Sequence, residues 1–309
     1  MKKYIILLNL LVLSTGLMAQ KTNTDKGNPA DSLLNSISTD NKNEPVVIFK
    51  STRLILSQSN ETVKKNNFNF EIIHRFGDFA GSVGGGKYFW GLDDVADVTF
   101  WFEYGLSNNL GIILQRSTIG GMISLELKYA MVHQMTDGGS PVAITVLGQQ
   151  AVRPYGSFAS FGDRLSNFAQ VIFARKFSSD FSLEVSPSYV SNNSAYPAVA
   201  GIEDQFFSLS AAARLKVTKH MGILVDYAHP FSSFRTSANG FYDPLGFGIE
   251  MTTGGHVFTI NITNARAGSE INYLSNSQSD YGKGQYRIGF TISRMFDFNH
   301  KEVYKSRGE

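Results

Sequence analysis

The sequence predicts an all-β fold: a transmembrane up-and-down antiparallel β-barrel of about twelve strands, preceded by an extended N-terminal segment. Three observations lead there. Apolar residues recur at every second position in stretch after stretch from residue 67 onward. The connections between these stretches alternate between short and long. The chain also opens on an export signal and carries no later run apolar enough to span a membrane as a helix.

The opening residues 1–19 place Lys2 and Lys3 before an apolar run from Tyr4 to about Leu13, then small and polar residues, with cleavage expected after Ala19. Residues 20–44 are polar and poor in large apolar groups. They cannot bury enough surface to offset the entropy of ordering, which predicts a flexible linker. Residues 45–298 form the expected barrel domain, and 299–309 a short polar tail.

The strands follow in order. Phe68, Phe70 and Ile72 mark the first. Ala96, Val98, Phe100, Phe102, Tyr104 and Leu106 mark the second, against Asp97, Thr99, Trp101, Glu103 and Gly105. Further apolar stripes run over 110–114, 123–131, 142–146, 181–189, 207–217, 223–227, 245–251, 258–262 and 286–292; the stretch 165–176 is strand-like with an ambiguous face. Tight turns fall near 107–109, 177–180, 218–221 and 253–255, with a longer one at 134–140. Long loops cover 77–93, 151–164, 191–204, 229–243 and 264–283, and only the link at 117–121 breaks the rule.

Alternation alone also fits a soluble β-sandwich or a lipocalin-like barrel with its oily face inward. Three features favour lipid outside. Ala96 to Leu106, at ~3.3 Å per residue and a tilt of ~40°, stands roughly 25 Å tall, the height of the apolar band on membrane barrels. The opposite face holds Ser, Thr, Gly, Asn and both signs of charge rather than a lysine-rich soluble surface. Tyr104, Tyr129, Tyr189 and Tyr227 stand near stripe ends, where ring and hydroxyl suit the membrane interface.

The runs "FKSTRLI" (49–55), "HRFGDF" (74–79) and "DVTFWFEYGLSNNLGI" (97–112) resemble an uncharacterised membrane β-barrel family of Bacteroidota, domain-of-unknown-function family 5777, over roughly residues 45–298. The resemblance implies an outer-membrane barrel. It implies no activity and supplies no catalytic residues.

Residues 46–58, "VVIFKSTRLILSQ", look extended without clean alternation. A thirteenth strand would leave the first and last strands parallel at the seam, unlike the even bacterial pattern. The segment therefore lies inside or beneath a twelve-strand barrel, or else forms that thirteenth strand or a periplasmic arm. As a plug, its Lys50 and Arg53 would balance the lumenal acids Glu71, Asp97, Glu103, Glu126, Glu184, Asp226 and Glu250, which outnumber the lumenal bases Arg75, Lys128, Arg214, Lys216 and Arg287. Glu103, Glu184, Arg214, Lys216 and Glu250 fall close to short turns and share one expected level; with Glu126 and Lys128 they form a candidate lumen constriction. The alternative is a salt-bridge web that only props the wall.

Several chemistries are excluded or unsupported. The chain has no cysteine, so it has no disulfide, thiol nucleophile or lipid-modified N-terminal cysteine. Without Lys2 and Lys3 its 28 basic residues fall to 26, equal to its 26 acidic ones, and no basic block marks a nucleic-acid surface. "GSVGGGKY" (81–88) starts like a phosphate loop, but Tyr88 stands where a Ser or Thr belongs and no helix pattern follows, so no nucleotide partner is expected. The histidines show no metal-ligand spacing, and nothing binds Ser51 and His74 to an orienting acid, so no cofactor and no enzyme activity are expected. Aromatics crowd the long loops, among them Tyr88, Phe89, Trp90, Tyr155, Phe158, Phe161, Phe231, Phe234, Phe241 and Tyr242; they either stack on solutes or fold loops and anchor the interface. The expected partners are outer-membrane lipid and small polar solutes. The expected role is a passive channel or facilitator, with a non-conducting structural or accessory barrel of an envelope assembly as the alternative.

Overall fold

The computed structural model describes residues 44–81, 84–136, 139–194, 200–253 and 255–298. The expected signal peptide, nearly all of the linker (20–43) and the polar tail lie outside them.

Twelve antiparallel strands close a barrel. They are β1 (Asn67–Asp78), β2 (Val95–Gly105), β3 (Leu110–Ser117), β4 (Ile123–Val132), β5 (Ala143–Val152), β6 (Leu165–Lys176), β7 (Phe181–Asn192), β8 (Gln205–Lys216), β9 (Met221–Phe231), β10 (Leu245–Thr253), β11 (His256–Thr263) and β12 (Arg287–Asp297). Each strand pairs with its sequence neighbours. The seam is antiparallel, running from Asn67↔Asp297 to Arg75↔Gly289. Closure leaves no edge strand, so the backbone ladder runs from strand to strand around the whole barrel, as hydrocarbon demands.

The period-two pattern maps onto the wall as the sequence predicts. Along β4, Leu125, Leu127, Tyr129 and Met131 are exposed, while Ser124, Glu126 and Lys128 are buried. Phe207 on β8, Phe247 and Ile249 on β10, and Ile260 and Ile262 on β11 continue the outer apolar surface. An isolated soluble protein does not present so much contiguous aliphatic and aromatic surface. Among the described residues no helix is long and apolar enough to cross a membrane.

One expectation needs correction. Ala96 does not face outward: it is 7% exposed. The pairing shifts there, from Arg75↔Asp97 to Phe76↔Val95, so β2 carries an extra residue and Val95 takes the outer position. The inner face is also not uniformly polar. Ile73, Trp101, Ile113, Phe168, Ile172, Val190, Phe206 and Leu224 point inward and are buried. They do so because the barrel has a core.

That core comes from two segments outside the wall. Residues 44–66 form a hairpin that enters the barrel. Pro45 bridges to Met135 beside the β4–β5 turn, and Asn66 donates its amide to Gly105 beside the β2–β3 turn, so both legs start at the short-turn end. The hairpin folds back on itself through the Arg53↔Gln58 bridge, with Leu54, Ile55 and Leu56 at its tip, each at most 1% exposed. From the opposite end, the β11–β12 connection drops inward and forms a short helix, α1 (Glu270–Ser275), in which every residue is buried. Ile271, Tyr273 and Leu274 join the hairpin tip in one hydrophobic cluster. Burying side chains of this size is worth roughly 1.5–3 kcal/mol each, opposed by the entropy of ordering the loops that carry them.

Two glycines permit the close approach. A side chain at Gly105 would sit 2.1 Å from the Lys64 carbonyl oxygen, and one at Gly268 would sit 2.9 Å from Thr99 Oγ1.

Candidate functional site: the filled lumen

The functional question is what fills the barrel and how firmly. The hairpin meets the wall through charged and polar groups. Asp226 on β9 accepts three hydrogen bonds from the tip: from Leu56 N at 2.8 Å, Ser57 N at 2.7 Å and Ser57 Oγ at 2.8 Å. Arg75 on β1 donates to the Ile55 carbonyl at 2.6 Å and also to Asn261 on β11. Lys128 on β4 donates to the Thr52 carbonyl at 3.2 Å, and Gln58 donates to Glu126 at 3.0 Å. Nearer the short-turn end, Ser182 Oγ donates to the Ile48 carbonyl at 2.8 Å and Thr145 Oγ1 to the Asn60 carbonyl at 2.9 Å. Side chains of β1, β4, β5, β7 and β9 therefore bond the hairpin's own backbone.

Arg53 links the two internal segments. Its Nη1 lies 2.6 Å from Glu270 Oε1 of α1, and both side chains are at most 1% exposed. Its Nη2 donates to the Leu56 carbonyl at 2.7 Å and to the Gly268 carbonyl. The guanidinium also stacks over Trp101, 5.1 Å from the ring centre. A buried charge of this kind is tolerated only with its partners in place. The β11–β12 loop is tied in turn to the wall: Asp97 on β2 accepts from Gly268 N at 2.8 Å, and Asn192 on β7 donates to Ser275 Oγ at 2.9 Å. From outside α1, Arg235 in the β9–β10 loop donates to the Ser275 carbonyl at 2.9 Å, with its guanidinium 3.8 Å from the centre of the Phe206 ring. Burial lowers the Arg235 pKa to about 10, against the opposing pull of Glu203 and Asp204.

The residues singled out in the sequence fall in several places. Arg214 and Glu250 form a buried ion pair at 2.7 Å, low in the barrel. Glu126 and Lys128 bind the hairpin. Glu184 and Glu103 are buried inward-facing wall residues, and neither oxygen of Glu103 has a protein hydrogen-bond partner among the described residues. Lys216 departs from the group. It is half-exposed at the strand end and pairs with Asp180 of the β6–β7 turn at 3.0 Å, outside the lumen. Of the two plug residues, Arg53 is buried at the centre and Lys50 is exposed at the short-turn mouth. That mouth is a cavity of about 530 Å³ between hairpin and wall, lined by Lys50, Lys64, Glu61, His220 and His256 among others. Glu61 holds the hairpin base by accepting from Ile48 N at 2.8 Å and Phe49 N at 3.2 Å. Burial pushes its carboxyl above the usual carboxylate range, against the pull of those amides and Lys128.

Ser51 and His74 do not meet. Ser51 is on the hairpin inside the barrel, whereas His74 faces outward and stacks on Phe290, 5.0 Å between ring centres. No group of three or more His, Asp or Glu side chains among the described residues is placed to hold a metal ion. The loop aromatics contact one another in part: Phe234 with Phe241 at 5.8 Å and Tyr242 with Tyr281 at 6.2 Å. Missing from the sequence reading were Glu270, Asp226 as the tip's acceptor, and the whole of α1.

A family model described as a membrane bound beta barrel domain matches residues 49–296, which takes in most of the hairpin as well as the wall. The chain belongs to this family, DUF5777. No curated protein matches the chain. Among solved structures, the NanC porin is similar at 9% identity over 74% of this chain and 98% of its own, with a TM-score of 0.47. An outer membrane channel from Pseudomonas putida F1 is similar at 9% identity over 77% of this chain and 98% of its own, also at 0.47. The KdgM porin in complex with disordered oligogalacturonate is similar at 8% identity over 74% of this chain and 99% of its own, at 0.44. At such identities nothing about cargo passes to the DUF5777 barrel described here.

Proposed function

We propose that this chain is an outer-membrane barrel closed at rest by its own N-terminal hairpin, and that it conducts small polar solutes only when the hairpin is drawn out towards the periplasm. The short-turn end takes the periplasmic side by the usual arrangement of such barrels. One observation carries the reading: the hairpin tip and α1 meet across the middle of the lumen in one buried hydrophobic cluster. The mouth cavity at the short-turn end and a smaller cavity at the long-loop end share no lining residue. Between them lie Leu54, Ile55, Ile271 and Leu274, each at most 1% exposed.

A second reading, a permanently closed accessory barrel, also fits a packed lumen. The threading favours a gate. Both hairpin legs emerge at one end, so the hairpin can leave without passing through the wall, while α1 stays anchored from the other end. Arg53–Glu270 is then the latch between a movable and a fixed part.

Planar-bilayer recording of the mature protein tests this. The wild type is expected to insert silently or with rare brief openings. Arg53→Glu, which sets two carboxylates against each other, is expected to give frequent current steps, and R53E/E270R to restore silence. Steady conduction by the wild type would overturn closure. A folded, inserted but silent Arg53→Glu variant would overturn the gate and leave the accessory barrel.

A further inference from the structure

Closure leaves the aromatic residues of the long loops without a part. Phe234 and Phe241 pack on each other, and Phe241 is buried. Others stay open. Phe231 at the end of β9 is 54% exposed, and Tyr281 of the β11–β12 loop is 41% exposed. Both line a cavity of about 460 Å³ where β9 runs into the β9–β10 loop, and Tyr242 joins them there. The polar groups of the same cavity are set for one kind of guest. Asp243 accepts two hydrogen bonds on one carboxylate oxygen, Oδ2: from the Tyr227 hydroxyl and from His229 Nδ1 at 2.9 Å. A carboxylate partner makes Nδ1 the donor, so Nε2 of the neutral ring is left as an acceptor. Among the described residues nothing bonds Nε2 or the second carboxylate oxygen, Oδ1. Both side chains reach solvent, His229 at 47% exposure and Asp243 at 28%. The exposed hydroxyls of Thr236 and Ser237 add groups that donate or accept. The cation in the lining, Arg235, is not available. It is buried, and its Nε, Nη1 and Nη2 donate to the Ser275 carbonyl, Ser232 Oγ and the Glu203 carbonyl.

An anion finds no free cation here and meets the Asp243 carboxylate instead. The open acceptors call for O–H donors, and the exposed rings call for an apolar face. A pyranose ring supplies both: hydroxyls around its rim, and faces of C–H bonds that suit the negative face of an aromatic ring. The volume equals that of about fifteen waters at ~30 Å³ each, room for a sugar ring and its substituents. An organic ammonium ion would suit the carboxylate and the rings. It would also meet the Arg235 charge in the same wall, and a quaternary one has no hydrogen to donate to His229. We infer that this cavity binds an uncharged saccharide, one pyranose face lying on Phe231 and hydroxyls donating to Asp243 Oδ1 and His229 Nε2. The site does not depend on whether the barrel conducts, since none of the hairpin lines it.

Saturation-transfer NMR on the full chain tests the inference, in a polyoxyethylene detergent that carries no sugar headgroup. Maltose, cellobiose and lactose are the probes; cyclohexanol keeps the apolar ring alone, and choline the cation alone. At least one disaccharide is expected to bind saturably in the millimolar range, with cyclohexanol and choline at least about tenfold weaker. Phe231→Ala removes the stacking face and is expected to weaken that disaccharide about tenfold or more. His229→Phe keeps a ring and removes the acceptor, and is expected to weaken it as well. Both positions are exposed, so the wall stays folded in each variant. No saturable binding of any of the three sugars, choline or cyclohexanol binding as tight as the best sugar, or a Phe231→Ala or His229→Phe variant that binds as the wild type does would each overturn the inference. None of these results bears on closure, which current recordings read independently.

Discussion

Replacing Arg53 by methionine removes the cation from the centre of the barrel and keeps most of the side-chain volume. Glu270, 0% exposed, then loses its counter-charge, and the Leu56 and Gly268 carbonyls lose their donor. Breaking a buried pair on one side costs about 3–5 kcal/mol, because a charge stays buried without its partner. Glu270→Met strands the guanidinium and is expected to cost a similar amount. The double variant R53M/E270M strands neither charge and is expected to lie within about 2 kcal/mol of the wild type, the remainder reflecting the unpaired carbonyls. The readout must be local, because the wall need not unfold for the hairpin to leave. The amides of Leu56 and Ser57 serve: both donate to Asp226 and exchange with solvent only when the tip opens. A loss of 3–5 kcal/mol corresponds to exchange faster by roughly 10²–10³·⁵ at about 1.4 kcal/mol per decade. Hydrogen-exchange mass spectrometry of a peptide spanning 54–58 should show that acceleration in each single variant and little of it in the double. If all three variants exchange alike, fast or slow, the ion pair is not the latch.

Three further outcomes are expected. Asp226→Leu leaves three hairpin donors without an acceptor and should accelerate exchange of the same peptide by at least about tenfold, at ~1–3 kcal/mol for an unmade buried bond, while the wall strands keep their protection. Gly105→Ala would press a methyl group into the Lys64 and Val63 carbonyls, which are backbone and cannot rotate away; protease cleavage within 59–66 should increase in the folded barrel, and an unchanged digest would refute the close approach. Glu61 has a raised folded-state pKa, so its contribution to seating the hairpin base is full below its unfolded value and is lost as pH rises through the higher folded value. Exchange of the Ile48 and Phe49 amides, corrected for intrinsic rate, should quicken across that window, and Glu61→Gln, which still accepts both amides, should flatten the dependence.

The wall was legible because each strand repeats one simple signal. A lipid-facing residue and a lumen-facing residue alternate, and closure obliges all twelve strands to do so. The bulge at Val95–Asp97 escaped because the one inserted residue, Ala96, is apolar and stands in sequence where the next outward step is due. The filled lumen left a fainter trace. Where the hairpin packs, inward positions are apolar, as at Trp101, Ile113 and Ile172, so β6 read as a strand with no clear face. Such doubly apolar strands are the signal that something other than water lies within. Helix α1 has six residues, too few for a 3.6-residue period to show. The Arg53–Glu270 contact joins residues 217 positions apart, and nothing local to either one announces it.

The composition of that lumen argues for movement over permanence. A barrel built only to stay shut is best filled with well-packed apolar side chains, since a buried ion pair is rarely more stable than a hydrophobic replacement of the same volume. Here the wall facing the hairpin carries Glu103, Glu126, Lys128, Arg75 and Asp226, all at most 1% exposed. Each sits out of water while the hairpin is in place. Withdrawal exposes Leu54, Ile55 and Leu56 to solvent, which opposes opening, but it also returns these wall charges to water, which favours it. The two changes work against each other across the same surface. In the proposed gate, the energy separating closed from open is therefore smaller than the apolar contacts alone imply, and the Arg53–Glu270 pair is the proposed latch between the two states. An apolar replacement of the whole lumenal charge set is accordingly expected to give a barrel more resistant to heat and silent even with Arg53→Glu in place; a heat-stable variant that still conducted would break the link drawn here between the lumenal charges and the gate.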